Sequence, residues 1–365
     1  MKVPFNVLDR SFFQHQQELE DKAMTILRSG WYVMGSELRT FEADFARFCN
    51  SAYCVGLGNG LDALWIAFHL LGIGEGDEVI VQSNAYIACV MGITMNGATP
   101  VFVEPDEYFN LSVNNIEDAI TDKTKAVLVV HLYGQAANMR EIMRIARSHN
   151  LKVVEDCAQA HGATFDSQSV GTFGDVGCFS FYPSKNLGCF GDGGAIVTDC
   201  SVLADQFRVF RNYGSEKRYH NKIVGTNSRL DELQAGLLGV KVKYLPESNG
   251  EREALAKRYT VGINHPKIEL PQVLDESTHV WHLYVIRTQY RNELQDYLSA
   301  KGIATVIHYP IPPHLSEAYQ YLGYATDSFP KAELYSEQIL SLPLFNGMTY
   351  DEQSYVIDAI NDWEI

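Results

Sequence analysis

Apolar positions along this chain follow two periods that alternate in blocks. They return every three or four residues over 15–29 and 36–48, which predicts amphipathic helices. Short apolar runs follow near 53–57, 78–82, 100–103, 126–130 and 152–155 and read as strands. Helical spacing over 60–71, 86–95 and 138–149 fills the gaps, the order expected of crossovers in an α/β sheet. After Asp175 the pattern changes, and two runs, 176–181 and 193–198, read as adjacent strands of a mixed sheet. A long helix is predicted over 228–245. Pro246-Glu-Ser-Asn-Gly250 interrupts helical periodicity, so the sequence divides into a large domain, 1–246, and a smaller C-terminal α/β domain, 247–365. The last helix is marked by a capping-box pair, Thr349 and Glu352, ahead of an apolar stripe at Val356 and Ile360.

Composition fits a large enzyme, since 365 residues exceed the usual single domain and 46% hydrophobic with 20% charged residues is ordinary for a globular protein. Seven cysteines, Cys49, Cys54, Cys89, Cys157, Cys178, Cys189 and Cys200, are odd in number and form no Cys-x-x-Cys pair, so they read as buried free thiols in a reducing compartment. Met1-Lys-Val-Pro-Phe-Asn6 has no basic region followed by an apolar stretch, and no apolar run approaches the ~20 residues of a membrane span. A cytoplasmic protein without membrane contact is expected. The formal charge of −16 argues against nucleic acid, whose binding needs a broad cationic surface. Local charge runs the other way between Arg208 and Lys222, where Arg211, Lys217 and Arg218 are interleaved with Tyr213, Tyr219 and His220. Alone this reads as a solvated loop; beside a cofactor site it points to an anionic substrate.

Two short segments carry the chemistry. Glu155-Asp-Cys-Ala-Gln-Ala-His-Gly162 follows the apolar run Leu151–Val154, at the carboxyl edge where open α/β sheets place ligands. Ser180-Phe-Tyr-Pro-Ser-Lys-Asn186 follows, with Lys185 lying 29 residues after Asp156. Taken singly, Asp156 reads as a helix cap and Lys185 as a solvated loop residue. Taken together, with a stiff Tyr182-Pro183 turn and a run of glycines after the lysine, they match what a pyridoxal enzyme requires. Such an enzyme needs a lysine for the cofactor aldehyde and a carboxylate that keeps the pyridine nitrogen protonated.

At these residues the chain resembles the DegT/StrS family of sugar aminotransferases, in the aspartate-aminotransferase fold class. The likeness runs through Ser29-Gly30-Trp31, Gly35 with Phe41-Glu42, Asn59-Gly-Leu-Asp-Ala-Leu64, the two segments above, Gly225-Thr-Asn-Ser-Arg-Leu-Asp231 and Ile307-His-Tyr-Pro310. The resemblance implies a fold type I pyridoxal enzyme, with a mixed seven-stranded sheet in the large domain. It makes Lys185 the Schiff-base lysine and general acid and base, Asp156 the partner of the pyridine nitrogen and Gln159 the donor to the ring hydroxyl. Ser180 would bind the phosphate, helped by the backbone N–H groups of Gly60 and Leu61 at a helix start. Many relatives carry Ser-Gly-Thr where this chain has Asn59-Gly60-Leu61, so a hydroxyl contact to phosphate is missing here. Tyr86 would stack on the pyridine ring, or is a core aromatic, and Ala158 would pack beneath the other face. Asn227 would reach the phosphate from the neighbouring subunit of a homodimer.

The same resemblance implies transamination, with the cofactor alternating between pyridoxal and pyridoxamine phosphate, L-glutamate as donor and a nucleotide-linked keto sugar as acceptor. The Phe181–Lys185 and Ile307–Pro310 versions look most like enzymes acting on dTDP-3-keto-6-deoxyhexoses, giving Fuc3N or Qui3N products for surface polysaccharide or glycoconjugate. Tyr182, Lys217, Tyr219, Lys222, His308 and Tyr309 are the expected substrate contacts, and Arg229 is a possible partner of the glutamate carboxylate. His308 reads equally as a packed, hydrogen-bonded histidine. Alternatives are a 4-keto sugar, a UDP-linked 3-keto sugar, a keto-inositol, or a regulatory protein retaining the fold. A dehydratase relative with histidine at the lysine position is disfavoured by Lys185. The spacing of His279, His282, His308 and His314 could hold a metal, but the extended Tyr309–Pro313 stretch forms no helical ligand pair, and no metal is expected.

Overall fold

A computed structural model describes residues 1–364. Its centre is a seven-stranded mixed sheet, as expected, built from β1 (Tyr53–Leu57), β2 (Glu78–Gln82), β3 (Thr99–Val103), β4 (Thr124–Val130), β5 (Lys152–Asp156), β6 (Val176–Ser180) and β7 (Gly194–Thr198). The spatial order is β1-β7-β6-β5-β4-β2-β3, and β7 alone runs antiparallel to its neighbours. Strand side chains alternate between two faces. Val127 and Val129 of β4 enter a cluster with the helices Ser36–Phe48, Met139–Ser148 and Glu232–Lys241, whereas Ala126, Leu128 and Val130 face the helices Gly60–Leu70, Ile87–Thr94 and Ser201–Phe210. Both faces are thus covered, so the strands read as continuous apolar runs.

The predicted elements lie within a residue or two of their observed bounds through β7, but the long helix differs. It starts at Glu232, ends at Lys241, passes through a 3-10 turn at Val242–Tyr244 and is followed by the helix Leu245–Gly262. Pro246 does not stop that helix because it sits in its first turn, where a missing N–H is not needed. Glu232 reaches back to accept from the N–H groups of Gly35, Glu37 and Leu38, capping the helix Ser36–Phe48. A Cβ at Gly35 would lie 2.4 Å from that carboxylate, which accounts for the glycine.

A third apolar cluster gathers residues of the C-terminal part with Val3. It includes a two-stranded ladder, Tyr284–Arg287 against Ile339–Leu342, and the helices Arg291–Ala300 and Tyr350–Asn361. The chain's first residues join this part. Val3 exchanges backbone hydrogen bonds with Gly302 and Ala304, and Arg10 clasps Glu352 through two bonds of 2.6 and 2.7 Å. The Arg10 guanidinium, with bonds from Thr349, holds the Glu352 carboxyl at about 2. The capping box of Thr349 and Glu352 is present. Six cysteines are buried as expected, but Cys200 is exposed because it immediately precedes a surface helix.

One buried carboxylate organises the loop after β5. Glu155 accepts from the N–H groups of Gly171, Phe173 and Gly174 at 2.7–2.8 Å and lies 3.1 Å from His131 Nε2. His131 Nδ1 accepts from Ala137, so the proton sits on Nε2 and is donated to Glu155. With Cys157 these residues come close enough to share a cation, but the carboxylate's acceptor sites are already filled. Glu155→Gln would turn an amide NH2 toward backbone donors, and we expect it to cost about 3 kcal/mol in urea denaturation; a loss below about 0.5 would refute this reading.

Candidate active site

The carboxyl ends of β1, β2, β5 and β6 converge on one region, and each contributes to it through the residues that follow. Asp156 is the last residue of β5 and only 6% exposed. Strand alternation points it away from Glu155, to the face of the helix Ile87–Thr94. Its Oδ1 accepts from the Ala158 N–H at 3.0 Å and its Oδ2 from the Cys89 thiol at 3.0 Å. An ionised carboxylate has about four acceptor positions, so capacity remains for another donor.

Lys185 lies in a turn fixed from several sides. Its N–H donates to Tyr182 O at 2.8 Å, Asn186 Nδ2 donates to Asn249 Oδ1 and Val280 O, and Cys189 N–H returns to Phe181 O. Gly188 packs so tightly that a Cβ would lie 2.3 Å from Pro183 O, and Lys241 donates to the Gly188 carbonyl. Burial lowers the Lys185 ammonium to about 8, against the opposing pull of Asp156 and Cys89. Its side chain remains partly accessible, and it has no hydrogen-bond or ion-pair partner among the described residues. An amine so placed is free to react.

Gln159 follows Asp156 in a tight turn rather than a helix. Its Oε1 accepts from the Tyr133 N–H at 2.6 Å, which leaves the amide NH2 as the outward donor, here 3.1 Å from Tyr309 Oη. Donation is what a ring hydroxyl or its anion would require. Tyr133 holds a left-handed backbone (φ 60°) and donates its phenol to His308 O. Tyr86 immediately precedes the helix Ile87–Thr94, and its half-exposed ring lies 4.8 Å from that of Tyr309. The ring of Phe5 lies 5.6 Å from that of His308, whose Nδ1 lies 2.8 Å from Ser341 Oγ. The expected sugar contacts His308 and Tyr309 therefore join the Asp156–Gln159 segment through Tyr133 and Gln159, while Tyr182 stands exposed beside the Lys185 turn.

Ser180, at the end of β6, abuts the start of the helix Gly60–Leu70: a Cβ on Gly60 would lie 2.6 Å from that of Ser180. Asn59 caps this helix, accepting from Asp62 N–H at 2.8 Å. The backbone amides of Gly60 and Leu61 and the Ser180 hydroxyl thus meet at a helix N-terminus, a cradle suited to an anion. Ser228 bonds Gly58 N–H and the Asp62 carboxylate, and its neighbour Asn227 is exposed. A lysine amine, a carboxylate with spare acceptor sites, an outward amide donor and an anion cradle together fit pyridoxal phosphate.

The cationic loop is smaller than expected. Arg211 is buried against Glu42 and Gly56 O, and Arg208 pairs with Asp205 on its own helix. The remainder forms an exposed hairpin, Ser215–Lys217 with His220–Asn221, in which Lys222 pairs with Glu216 at 2.6 Å and Arg218 lies over the ring of Tyr219. Among the described residues no hydrogen bond or ion pair joins this hairpin to Asp156 or Lys185. Arg229 is held by Asn212 and Tyr213. The four histidines weighed as a metal set also part: His279 stacks on Trp281, and His314 lies 3.0 Å from Glu333.

Several site residues escaped the sequence reading. Cys89 lies one helical turn beyond Tyr86, a spacing that could have found it. His161, with neither ring nitrogen partnered, is buried against Phe179 and Phe181, and burial with the nearby Lys185 charge lowers it to about 3. Lys241 and Arg252 line a cavity of about 40 Å³ beside the Lys185 turn, and burial lowers them to about 8 and about 10. No local pattern marks Tyr133 or Arg252.

Comparison with known proteins agrees with this geometry. The profile of the DegT/DnrJ/EryC1/StrS aminotransferase family matches residues 14–361. The dTDP-3-amino-3,6-dideoxy-alpha-D-galactopyranose transaminase of Aneurinibacillus thermoaerophilus is 48% identical over 98% of this chain and 99% of its own. The dTDP-3-amino-3,4,6-trideoxy-alpha-D-glucose transaminase of Streptomyces venezuelae is 45% identical over 99% of this chain and 96% of its own. The crystal structure of S. venezuelae DesV in complex with a ketimine intermediate superposes with a TM-score of 0.97 at 45% identity, covering 99% of this chain and 98% of that one. The chain belongs to the DegT/DnrJ/EryC1/StrS aminotransferase family and is a pyridoxal phosphate-dependent sugar aminotransferase.

Proposed function

We propose that this protein transfers an amino group from L-glutamate to the C3 keto group of a dTDP-3-keto-6-deoxyhexose. The product is a dTDP-3-amino-3,6-dideoxyhexose, used in surface polysaccharide such as O-antigen or in another glycoconjugate. The observation that carries the chemistry is an amine at Lys185, lowered by burial to about 8, in the field of the Asp156 carboxylate. The sugar assignment rests on the two relatives named above, whose substrates share a dTDP group and a 3-amino position.

Pyridoxal phosphate supplies an aldehyde that takes up the amino group and a ring that accepts electrons from the donor carbon. Asp156 holds a proton at the ring nitrogen, and Gln159 donates to the ring hydroxyl. Ser180, Gly60 and Leu61 would hold the phosphate, and Tyr86 and Ala158 would pack against the ring. With the cofactor bound, Lys185 would act as general base toward the donor's Cα proton and as general acid in returning it, and would serve the acceptor sugar in the same two roles. A neutral amine is needed for this, and a lysine near 8 provides an appreciable fraction of it at neutral pH.

The reading includes a cytoplasmic homodimer. In it Asn227 of the partner subunit reaches the phosphate, and the partner's hairpin brings Lys217, Tyr219 and Lys222 to the nucleotide diphosphate. Exposed Tyr219 and Val224, 83% and 93% accessible in the single chain, support a surface that is covered on assembly. Tyr182, His308 and Tyr309 line the sugar.

Turnover with L-glutamate and the galacto and gluco isomers of the dTDP-3-keto-6-deoxyhexose, followed by mass spectrometry and proton NMR, tests the substrate. One isomer is expected to be aminated at C3. Amination only of 4-keto, UDP-linked or cyclitol ketones would overturn the assignment. Lys185→Ala should still bind the cofactor but lose about 10³-fold or more in turnover, and near-normal rates would remove Lys185 from its role.

A stability measurement checks the lysine separately. In the ligand-free protein Lys185 titrates at about 8, below its ordinary 10.5, so the folded state binds this proton more weakly than the unfolded chain does. Its partly desolvated charge therefore costs stability below pH 8, and the cost fades as pH rises toward 10.5. Lys185→Met should raise the melting temperature at pH 7 and lose that advantage by pH 10.5. A gain independent of pH would show that packing, not charge, is responsible.

A further inference from the structure

The carboxylate of Asp156 is buried with no cation within ion-pair distance among the described residues. It depends on two uncharged donors, the Ala158 N–H on Oδ1 and the Cys89 thiol on Oδ2, each at 3.0 Å. Cys89 is 1% exposed and belongs to the helix Ile87–Thr94, where its own N–H bonds Tyr86 O at 2.9 Å. Residues three apart share a helix face, so one short helix presents both the ring of Tyr86 and the thiol of Cys89 to the same region. Burial and the neighbouring carboxylate push the thiol well above its ordinary range, so it stays protonated as a donor and is neither a nucleophile nor a competing anion.

We propose that Cys89 is a positioning residue for the cofactor: its thiol holds Asp156 Oδ2, keeping the carboxylate ionised and aimed at the pyridine nitrogen. The assignment rests on the reading of Asp156 as that nitrogen's partner. A carboxylate that loses one of two donors in an apolar pocket is both less stable as an anion and freer to rotate. Either change weakens its grip on the ring. Besides Cys89, the titratable groups whose charge couples to Asp156 are Cys178 on β6, Cys157, Lys185 and Tyr309.

The test compares Cys89→Ala, Cys89→Ser and Asp156→Asn in the full-length protein. Its readouts are the dissociation constant for pyridoxal phosphate, the pH midpoint of the bound cofactor's visible absorbance, and the melting temperature. Cys89→Ala should weaken cofactor binding about five-fold and displace the absorbance midpoint, while Cys89→Ser, which keeps a donor of similar reach, stays within about two-fold of the parent. A packing role alone would lower the melting temperature of both variants and leave the midpoint in place, and that result overturns the proposal. So does a Cys89→Ala protein with parental affinity and midpoint. If Asp156→Asn moves neither affinity nor midpoint, the reading of Asp156 itself fails. If it moves both while Cys89→Ala moves neither, only the role of Cys89 is lost.

Discussion

Keeping a carboxylate ionised at the buried end of a central strand is the constraint on which the rest of this structure depends. Charge in a low-dielectric interior is tolerated only when donors surround it. β5 ends in two successive carboxylates, and strand alternation sends them to opposite faces of the sheet. Glu155 fills its acceptor positions with three backbone amides and His131, and so becomes a fixed part of the framework. Asp156 receives two donors and keeps capacity in reserve. Two chemically similar neighbours acquire different roles from saturation alone.

The lysine obeys the complementary rule. Nothing among the described residues rewards the ammonium with a hydrogen bond, and burial lowers its proton affinity, while its backbone is pinned by Tyr182, Asn186 and the tightly packed Gly188. Rigid main chain with an unsatisfied functional group is the arrangement expected where strain and desolvation serve chemistry. Tyr133, held in a left-handed conformation between Gln159 and His308, shows the same economy on the opposite wall.

Much of this was legible in the residues because it is local. The strands announce themselves as apolar runs covered on both faces, and Asp156, Gln159, Ser180 and Lys185 lie in segments whose turns and glycines are contiguous in sequence. Legibility failed where a residue's role is decided by a distant partner. Pro246 looked like a stop but begins a helix, a distinction set by its position relative to the preceding 3-10 turn. Arg211 looked like part of a cationic loop but is claimed by Glu42, 169 residues away in the chain. Asn59 gave no sign by itself that it caps the helix it precedes, a role shown by its bond from Asp62 N–H. Cys89 looked like one of several buried thiols, and only its 3.0 Å approach to Asp156 sets it apart.

Residues 3–10 are also joined to the C-terminal part, with Val3 laid along Gly302–Ala304 and Arg10 clasping Glu352. Val3 and Arg10 precede the sheet in sequence, whereas their partners, Gly302, Ala304 and Glu352, follow it by a hundred residues or more. The sheet can assemble while the C-terminal part is still being translated, since its seven strands are complete by Thr198. The segment 3–10 gains these partners only after the sheet's strands have been made. Phe5 depends in the same way on His308, so that wall of the site closes by long-range contacts formed after the sheet.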